Sequence, residues 1–271
     1  MNRCNPHSPR KGRGSISNRS GRFENQKYHV INDDWTRVED AQPLNTLLRE
    51  DTSRTIIVRN SSPDIPFDRS INPYRGCEHG CVYCFARPTH AYLGLSPGLD
   101  FETQLFFKPD AARLLEAELR RPSYRCNVIT MGTNTDPYQP VERDKRITRQ
   151  ILEVLSAFDH PVEIVTKSTL VLRDLDILAP MAARGLAQVC VSVTTLDRNL
   201  ARRLEPRAAT PSRRIETIRT LAAAGVPTGV MASPMIPGLN DHELEAILSQ
   251  ASAAGAEIAS YILIRLPLEI A

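Results

Sequence analysis

The sequence predicts an α/β fold, a partial (β/α)6 TIM-type barrel of parallel strands with outer helices. After residue 71, short β-branched runs alternate with amphipathic helical stretches, which is the pattern of repeated βα units. Polar and otherwise unusual residues follow one strand after another, on the side where such barrels assemble their sites. A doubly wound sheet shows the same alternation, and the position of these residues favours the barrel.

Six runs rich in β-branched residues are the predicted strands. They cover residues 70–74, 127–131, 162–166, 189–194, 228–232 and 260–264. The strands are short and apolar, as strands buried between layers of helices are.

Apolar residues recur at helical spacing between these runs. The four clearest faces are Leu114, Leu115 and Leu119; Ile151, Leu155 and Phe158; Ile215, Ile218 and Ala222; and Leu244, Ile247, Leu248 and Ala251. Gly185, Gly225 and Gly255 are each predicted to end a helix in the left-handed conformation, because an apolar strand follows each of them. Thr210 before Pro211 is a predicted N-cap with proline at the first helical position.

The chain divides by composition into an arm, residues 1–53, and a core domain, residues 54–271. Residues 1–30 contain seven Lys and Arg against one acidic residue, whereas the whole chain contains 34 against 31. We expect a largely disordered basic arm, which suits nucleic acid or another anionic partner and is equally typical of a solvated tail. Because the chain stops soon after the sixth predicted strand, we expect an exposed last strand and lower stability than in a longer form.

The composition indicates an ordinary globular protein, with 41% hydrophobic and 24% charged residues. The N-terminus has no apolar segment of a secretory signal, and no apolar stretch is long enough for a membrane helix. We therefore expect a cytoplasmic protein without a membrane partner. In that compartment the six cysteines are expected to be free thiols, available for metals or catalysis.

Three cysteines, Cys77, Cys81 and Cys84, lie within eight residues in a loop that contains glycine. Thiolates at this spacing can each hold one corner of an iron–sulfur cubane, and one iron is then left without a protein ligand. An open metal position is typical of a catalytic site. A structural zinc site with His79 or Cys126 as fourth ligand is one alternative, and a thioredoxin-like redox pair of Cys81 and Cys84 is another.

The CxxxCxxC spacing, with Tyr83 before the last cysteine, resembles the signature of the radical S-adenosylmethionine (radical SAM) superfamily. Further segments resemble the branch that contains spore photoproduct lyase and DNA repair photolyase-like proteins. These segments are 132–137 (GTNTDP), 165–167 (VTK) and 204–206 (LEP), together with Arg214. The resemblance covers about residues 54–271.

The resemblance implies a 4Fe–4S cluster held by Cys77, Cys81 and Cys84, with S-adenosylmethionine bound to the remaining iron. It implies one-electron cleavage of that cofactor to a 5′-deoxyadenosyl radical, which takes hydrogen from a substrate. A reductant such as flavodoxin or ferredoxin would supply the electron. Nucleic acid is the substrate that the basic arm and this branch indicate. The same chemistry on a protein or a small molecule is an alternative, as is a zinc-stabilised binding module without enzymatic activity.

The resemblance also implies a set of cofactor-binding residues. They are Tyr83 near the adenine; Gly132, Thr133, Asn134, Thr135 and Asp136 near the methionine amino group; Lys167 facing the cofactor carboxylate; and Ser192 and Thr194 near the carboxylate or ribose. Glycine at 132 would let the cofactor approach the backbone closely. Each residue also has a plainer interpretation, as a half-buried aromatic, a polar turn, a solvated lysine or small residues that fill the barrel.

Two further positions limit what the resemblance implies. Gly132 aligns with the cysteine that donates hydrogen in spore photoproduct lyase, so thymine-dimer reversal by the same route is not implied. Glu205 and Arg214 flank a helix start, where charged residues are usually exposed, and a supporting ion pair is the alternative interpretation.

Overall fold

The computed structural model of the protein describes residues 12–18, 23, 45–63 and 65–267. Within them the chain forms a larger and a smaller sheet with helices between the strands. The strands are β1 Leu47–Glu50, β2 Ile57–Arg59, β3 Arg69–Ile71, β4 Tyr74–Arg75, β5 Gln104–Phe107, β6 Ile129–Met131, β7 Val162–Thr166, β8 Ala187–Ser192, β9 Thr228–Met235 and β10 Ile258–Leu263.

The helices follow the strands along the chain. They are α1 Asp100–Thr103, α2 Ala111–Leu119, α3 Glu142–Lys145, α4 Ile147–Ala157, α5 Leu175–Ala183, α6 Arg198–Leu204, α7 Pro211–Ala223 and α8 Leu244–Ala253, with 3-10 helices at Arg87–Leu93, Thr169–Asp174 and Asp241–Glu243. None of the helices in the described part of the chain is long and apolar enough to cross a membrane.

The larger sheet has the strand order β10-β9-β8-β7-β6-β3-β2. Every neighbouring pair from β3 to β10 is parallel, and β2 pairs with β3 antiparallel. The six predicted strands correspond to β3 and β6–β10, and they lie side by side in chain order. A doubly wound sheet would reverse its order at a switch point. Within the described residues β10 pairs with β9 alone, so the sheet is open there, and closure into a barrel stays a prediction.

Burial across the sheet follows from the helical cover. All residues of β6 are buried, and β8 is buried at five of its six positions, because helices lie on the sheet in the repeated βα units. β10 is exposed at every position. Gly185, Gly225 and Gly255 have φ values of +70°, +75° and +100°, which confirms the predicted left-handed helix ends.

The smaller sheet has the strand order β1-β5-β4, and its strand β4 directly precedes the cysteine loop. β1 lies inside the predicted arm, residues 1–53, and pairs parallel with β5 over four residues. Residues 12–18 of the arm also make defined contacts, described below. The expectation of a disordered arm therefore does not hold for these two stretches. The other residues of 1–44, apart from Phe23, lie outside the described residues.

Candidate functional site

The three clustered cysteines lie on the loop between β4 and the 3-10 helix Arg87–Leu93. Cys77 and Cys81 are buried, and Cys84 is partly buried. Burial raises the pKa of all three thiols, that of Cys81 to about 12, and the nearby Cys84 raises the pKa of the other two further. The metal-free thiols are therefore protonated at neutral pH, and a metal that binds them must displace their protons.

Groups from elsewhere in the chain hold the backbone of this loop. The Cys77 N–H donates to the Phe101 carbonyl at 2.9 Å. The Gln139 side chain accepts from the Glu78 N–H at 2.9 Å and donates to the Gly76 carbonyl at 3.1 Å. Gln139 is itself buried, so the start of the loop is fixed on both sides.

A buried group of charges lies at the ends of β7 and β8. The Lys167 Nζ donates to the Ser192 Oγ at 2.5 Å and lies 3.3 Å from the Glu205 Oε1. Glu205 pairs with Arg214, and the Thr194 hydroxyl donates to Glu205 at 2.7 Å. Burial opposes ionisation of Glu205, but Arg214 and Lys167 together hold its pKa well below the usual range.

The prediction that Glu205 and Arg214 are exposed was wrong. Both side chains are buried, at 0% and 2% exposure, because the turn after α6 folds back on the end of β8. The Arg214 guanidinium donates to the Ser192 carbonyl at 3.0 Å, which ties the start of α7 to the same strand. The alternative interpretation as a supporting ion pair is therefore correct.

Tyr83 links the cysteine loop to this charged group. Its hydroxyl donates to Glu205 and lies 3.3 Å from the Thr194 Oγ1. The Lys167 Nζ lies 5.9 Å from the centre of the Tyr83 ring. The hydroxyl therefore anchors the loop, and the predicted contact of the ring with an adenine stays a prediction.

Gly132 is required by a contact within the protein, and its predicted contact with the cofactor stays a prediction. Its φ is +91°, and a Cβ at this position would lie 2.0 Å from the Val165 carbonyl oxygen of the neighbouring strand. The close approach that requires glycine here is made by the backbone of β7. The same geometry leaves no space for a cysteine side chain at this position.

The next three predicted residues contact the chain that leads into the cysteine loop. The side-chain N–H of Asn72 donates to the Thr133 hydroxyl at 3.4 Å, and the side-chain oxygen of Asn72 accepts from the Asn134 N–H at 3.1 Å. The Thr135 hydroxyl donates to the Tyr74 carbonyl at 3.1 Å. These side chains hold the loop after β6 against β3 and β4.

Asp136 connects the cysteine loop with the end of β7. Its carboxylate accepts from the Thr166 hydroxyl and the Lys167 N–H, both at 2.7 Å, and lies 3.3 Å from the His79 Nδ1. Burial opposes ionisation, but His79 and the two donors lower the pKa of Asp136 below its ordinary value. His79 stands between Cys77 and Cys81, so this pair fixes the middle of the loop.

The sequence analysis missed the residues that complete the site. The Ser233 carbonyl accepts from the Ser192 hydroxyl at 3.2 Å, and lies 3.0 Å from the Thr194 Oγ1 and 3.4 Å from the Lys167 Nζ. A backbone carbonyl is present at every residue, so no sequence signal could have identified it. Gln139 had its polar side chain as its only signal, and His79 was considered only as a possible zinc ligand.

The zinc alternatives find no support in the geometry. Within residues 12–18, 23, 45–63 and 65–267, no group of three or more His, Cys, Asp or Glu side chains converges as a single ion requires. Cys126 is exposed and precedes β6, whereas the chain reaches the cysteine loop after the end of the parallel neighbour β3, so Cys126 lies near the opposite end of these two strands. Three thiolates that each bind a separate iron of a cubane need no such convergence.

Comparison with known proteins places these residues in a family context. Residues 71–251 match the family model of the Radical SAM superfamily. An uncharacterised protein of Mycobacterium tuberculosis is 44% identical over 194 residues, which are 71% of this chain and 57% of that protein. One of Methanocaldococcus jannaschii is 30% identical over 173 residues, 64% of this chain and 62% of that protein. The chain thus spans less than two thirds of the length of these relatives.

Solved structures share the fold at low sequence identity. Spore photoproduct lyase complexed with dinucleoside spore photoproduct superposes with a TM-score of 0.61 and 18% identity, over 82% of this chain and 64% of that one. Streptococcus suis SuiB bound to S-adenosylmethionine superposes with a TM-score of 0.54 and 15% identity, over 73% of this chain and 41% of that one.

Proposed function

Because the chain belongs to the radical SAM superfamily, we propose that it is an enzyme that holds a 4Fe–4S cluster and cleaves S-adenosylmethionine reductively to a 5′-deoxyadenosyl radical. The observation that carries this proposal is the loop of three buried or partly buried thiols, Cys77, Cys81 and Cys84, beside a buried group of charges. Such clusters take thiolate donors, and each of the three cysteines would hold one corner of the cluster. When bound, the cluster supplies the electron that breaks the sulfonium bond.

The charged group gives the cofactor a place to bind. Among the described residues, Lys167 and Arg214 share one carboxylate, Glu205, so the group carries a surplus positive charge. Lys167 is the member of the group that is partly exposed, at 17%. We assign it to the cofactor carboxylate, because a charge-assisted hydrogen bond there would balance the surplus. Ser192 orients Lys167 by accepting a hydrogen bond from its ammonium group, and Thr194 orients Glu205 by donating one to its carboxylate.

The loop after β6 is assigned to the methionine amino group. The side chains of Thr133, Thr135 and Asp136 are bound to other parts of the protein, so their role is to fix the loop. We therefore assign the backbone of Gly132 and the exposed Asn134 to the contact with the ligand. Tyr83 holds the cysteine loop at a fixed distance from Lys167.

Anaerobic reconstitution tests the proposal. We expect about four irons and four sulfides per chain, and 5′-deoxyadenosine formed from S-adenosylmethionine under a chemical reductant. Cys77→Ala, Cys81→Ala and Cys84→Ala should each abolish cluster binding and 5′-deoxyadenosine formation. The control Cys190→Ala, at a buried cysteine of β8, should keep both properties. A colourless protein that binds zinc through four side chains would contradict the proposal.

The proposed electron donor is a flavodoxin or ferredoxin, and the proposed compartment is the reducing cytoplasm.

We infer a nucleic-acid substrate from the charges beside the site. Arg198, Arg202 and Arg203 of α6 are exposed, and none has an ion pair among the described residues. The carbonyl of Leu204, at the end of α6, accepts from the Val82 N–H at 2.9 Å, so this helix borders the cysteine loop. Arginines at the rim of a site are suited to phosphate contacts.

Salt-dependent binding of single-stranded and double-stranded DNA and RNA tests this substrate class. Replacing the three arginines of α6 by Ala should reduce the slope of log K against log salt by about 2–3. The control replaces Arg113 and Arg120 of α2, which already pair with Asp110 and Glu116, and should leave the slope unchanged. Equal slopes for all three proteins would favour a protein or small-molecule substrate.

A further inference from the structure

Residues 12–18 lie against the cysteine loop, outside the segment 71–251 that matches the family model. The Gly14 N–H donates to the Glu102 Oε2 at 3.0 Å, and the Ser15 N–H donates to the Oε1 at 2.8 Å. The Arg13 guanidinium donates to the Glu102 carbonyl at 2.8 Å. Three consecutive residues therefore hold a single glutamate by its carboxylate and its backbone.

Glu102 connects this segment to a cluster ligand. Its Oε1 pairs with the Arg87 Nη2 at 2.6 Å, and both side chains are buried. The Arg87 Nε and Nη2 also donate to the Cys81 carbonyl at 3.0 Å and 2.9 Å. A buried ion pair with further donors is held firmly, because each lone pair left unsatisfied would cost free energy. The contacts thus run from residues 14 and 15 through Glu102 and Arg87 to Cys81.

Two glycines bring the segment into direct backbone contact with the loop. A Cβ at Gly14 would lie 1.8 Å from the Gly80 carbonyl oxygen. Gly80 has a φ of +67°, and a Cβ there would lie 2.7 Å from the Glu102 Oε2. Both positions therefore require glycine. Because Gly80 directly precedes Cys81, the contact lies next to a cluster ligand.

The same segment reaches the other half of the loop. The Arg13 guanidinium donates to the Thr46 hydroxyl at 3.2 Å, and that hydroxyl donates to the Glu78 Oε1 at 2.6 Å. Arg207 pairs with the same carboxylate oxygen at 3.2 Å. Glu78 directly follows Cys77, so the segment is connected to both ends of the stretch between the first two cluster ligands.

A separate pair of contacts anchors the end of the segment. The Leu99 N–H donates to the Ser17 carbonyl at 3.1 Å. The Asn18 side chain donates to the Asp100 carboxylate at 2.7 Å and accepts from the Asp100 N–H at 2.9 Å. Ile16 is the one apolar side chain of residues 12–18, and it is 39% exposed, so these hydrogen bonds, above all those to Glu102, must offset much of the entropy lost on ordering the segment.

We propose that residues 12–18 are a clamp that holds the cysteine loop in its ligating conformation, and that Glu102 is the positioning residue through which the clamp acts on Cys81. The inference rests on the proposed function for the cluster itself. It extends the cluster site to residues far upstream of the family domain. Its mechanical part, the restraint of the loop by the clamp, does not depend on any metal.

Hydrogen exchange of the metal-free full chain tests that mechanical part. In Gly14→Ala the added Cβ meets the Gly80 carbonyl, so the clamp cannot dock, and the amides of residues 77–84 should exchange roughly tenfold faster. Glu102→Gln should act in the same direction, and Gly14→Ala decides the matter if the glutamine variant does not fold. The control Ser15→Ala keeps the backbone N–H on Glu102 and should exchange at the wild-type rate. Amides of β8 report global opening and should not change in Gly14→Ala.

Iron release from the reconstituted protein tests the effect on the cluster. A chelator should remove iron roughly tenfold faster from Gly14→Ala than from the wild type or Ser15→Ala, because Cys81 is less restrained. Wild-type exchange rates at residues 77–84 in Gly14→Ala would overturn the clamp. Faster exchange there together with equally faster exchange in β8 would also overturn it, because the effect would then be one on overall stability. A wild-type protein that takes up no cluster would overturn the proposed function and leave the exchange result to decide on the clamp.

Discussion

Two buried groups of charges, one at the site and one behind it, differ in their balance. At the site, Lys167 and Arg214 share Glu205, and within the described residues no second carboxylate pairs with either cation. Lys167 is 17% exposed, whereas Glu205 is 0% exposed. We call these three residues the open group.

The second group lies behind the loop after β6, and we call it the closed group. Its carboxylates, Glu142 and Asp174, are both 0% exposed. Arg173 pairs with both of them at 2.7 Å and 2.8 Å, and Arg149 pairs with Asp174 at 3.0 Å. Two buried anions thus face two cations in this described part of the chain, and Arg149 also pairs with the exposed carboxylates of Asp176 at 2.7 Å and Glu153 at 3.1 Å.

The difference shows which group is built for the fold and which for a ligand. Buried charges lose hydration, and the loss is offset only when each charge has a partner and its hydrogen bonds are made. The closed group meets this condition by itself. The open group keeps one positive charge more than its carboxylate balances, and an anionic ligand would supply the missing partner. Charge balance therefore distinguishes the two groups, although both contain buried ion pairs.

The largest effect is expected from removing the carboxylate of the open group. Glu205→Gln leaves Arg214 and Lys167 without an anion, and the free energy of unfolding should fall by about 3–5 kcal/mol. Glu142→Gln leaves Arg173 paired with Asp174, so the loss should be smaller. Urea unfolding of the metal-free proteins measures both. A larger loss in Glu142→Gln would contradict the distinction between the two groups.

Removing one cation from each group should separate ligand binding from stability. Lys167→Met should weaken S-adenosylmethionine binding to the reconstituted protein by about 10- to 100-fold, because a charge-assisted hydrogen bond to its carboxylate is lost. The unfolding free energy should stay within about 1 kcal/mol, since Arg214 still balances Glu205.

Arg149→Met is the matched change in the closed group. It should lower stability by about 1–2 kcal/mol and leave cofactor affinity unchanged. Calorimetry under anaerobic conditions and urea unfolding provide the two numbers for each variant. An equal loss of affinity in both variants would show that the positive charge at the site is not specific to the ligand.

The pH dependence of stability should reflect the lowered pKa of Glu205. The unfolded chain has the ordinary value of 4.5, and Arg214 and Lys167 hold the folded pKa far below it against the effect of burial. The stabilisation is therefore complete above pH 5 and is lost as the pH falls below 4.5, by about 1.4 kcal/mol per pH unit. The stability difference between the wild type and Glu205→Gln should shrink accordingly between pH 5 and pH 3. A constant difference over this range would contradict it.

Local sequence patterns were sufficient for six strands of the larger sheet and for the position of the cysteine loop, whereas β1, β2 and β5 lie outside the predicted strands. The spacing of Cys77, Cys81 and Cys84 and the periodicity of the strands are properties of short segments, and the six predicted strands are present within residues 69–263. Lys167 was also found locally, because it directly follows β7 at the edge where such sites form.

Contacts between distant segments were not predictable in the same way. The role of Gly132 depends on the Val165 carbonyl, which is 33 residues away, and the burial of Glu205 depends on how the turn after α6 folds back. The contacts of Gly14 with Glu102 span 88 residues. A basic, glycine-containing segment carries no periodicity, so its docking cannot be read from the segment itself.

The smallest effect is expected from single hydroxyl groups. Ser192→Ala removes an acceptor from Lys167, which should cost about 1 kcal/mol and weaken cofactor binding by about fivefold, because the ammonium group is less well placed. Beside the closed group, the Thr148 N–H donates to the Glu142 carboxylate at 3.0 Å, and the Thr148 hydroxyl donates to the Pro137 carbonyl at 2.6 Å. Thr148→Val should cost a similar amount of stability with no change in affinity. If both variants lost affinity equally, the hydroxyl of Ser192 would act on the fold alone, and the open group would need another residue to place its lysine.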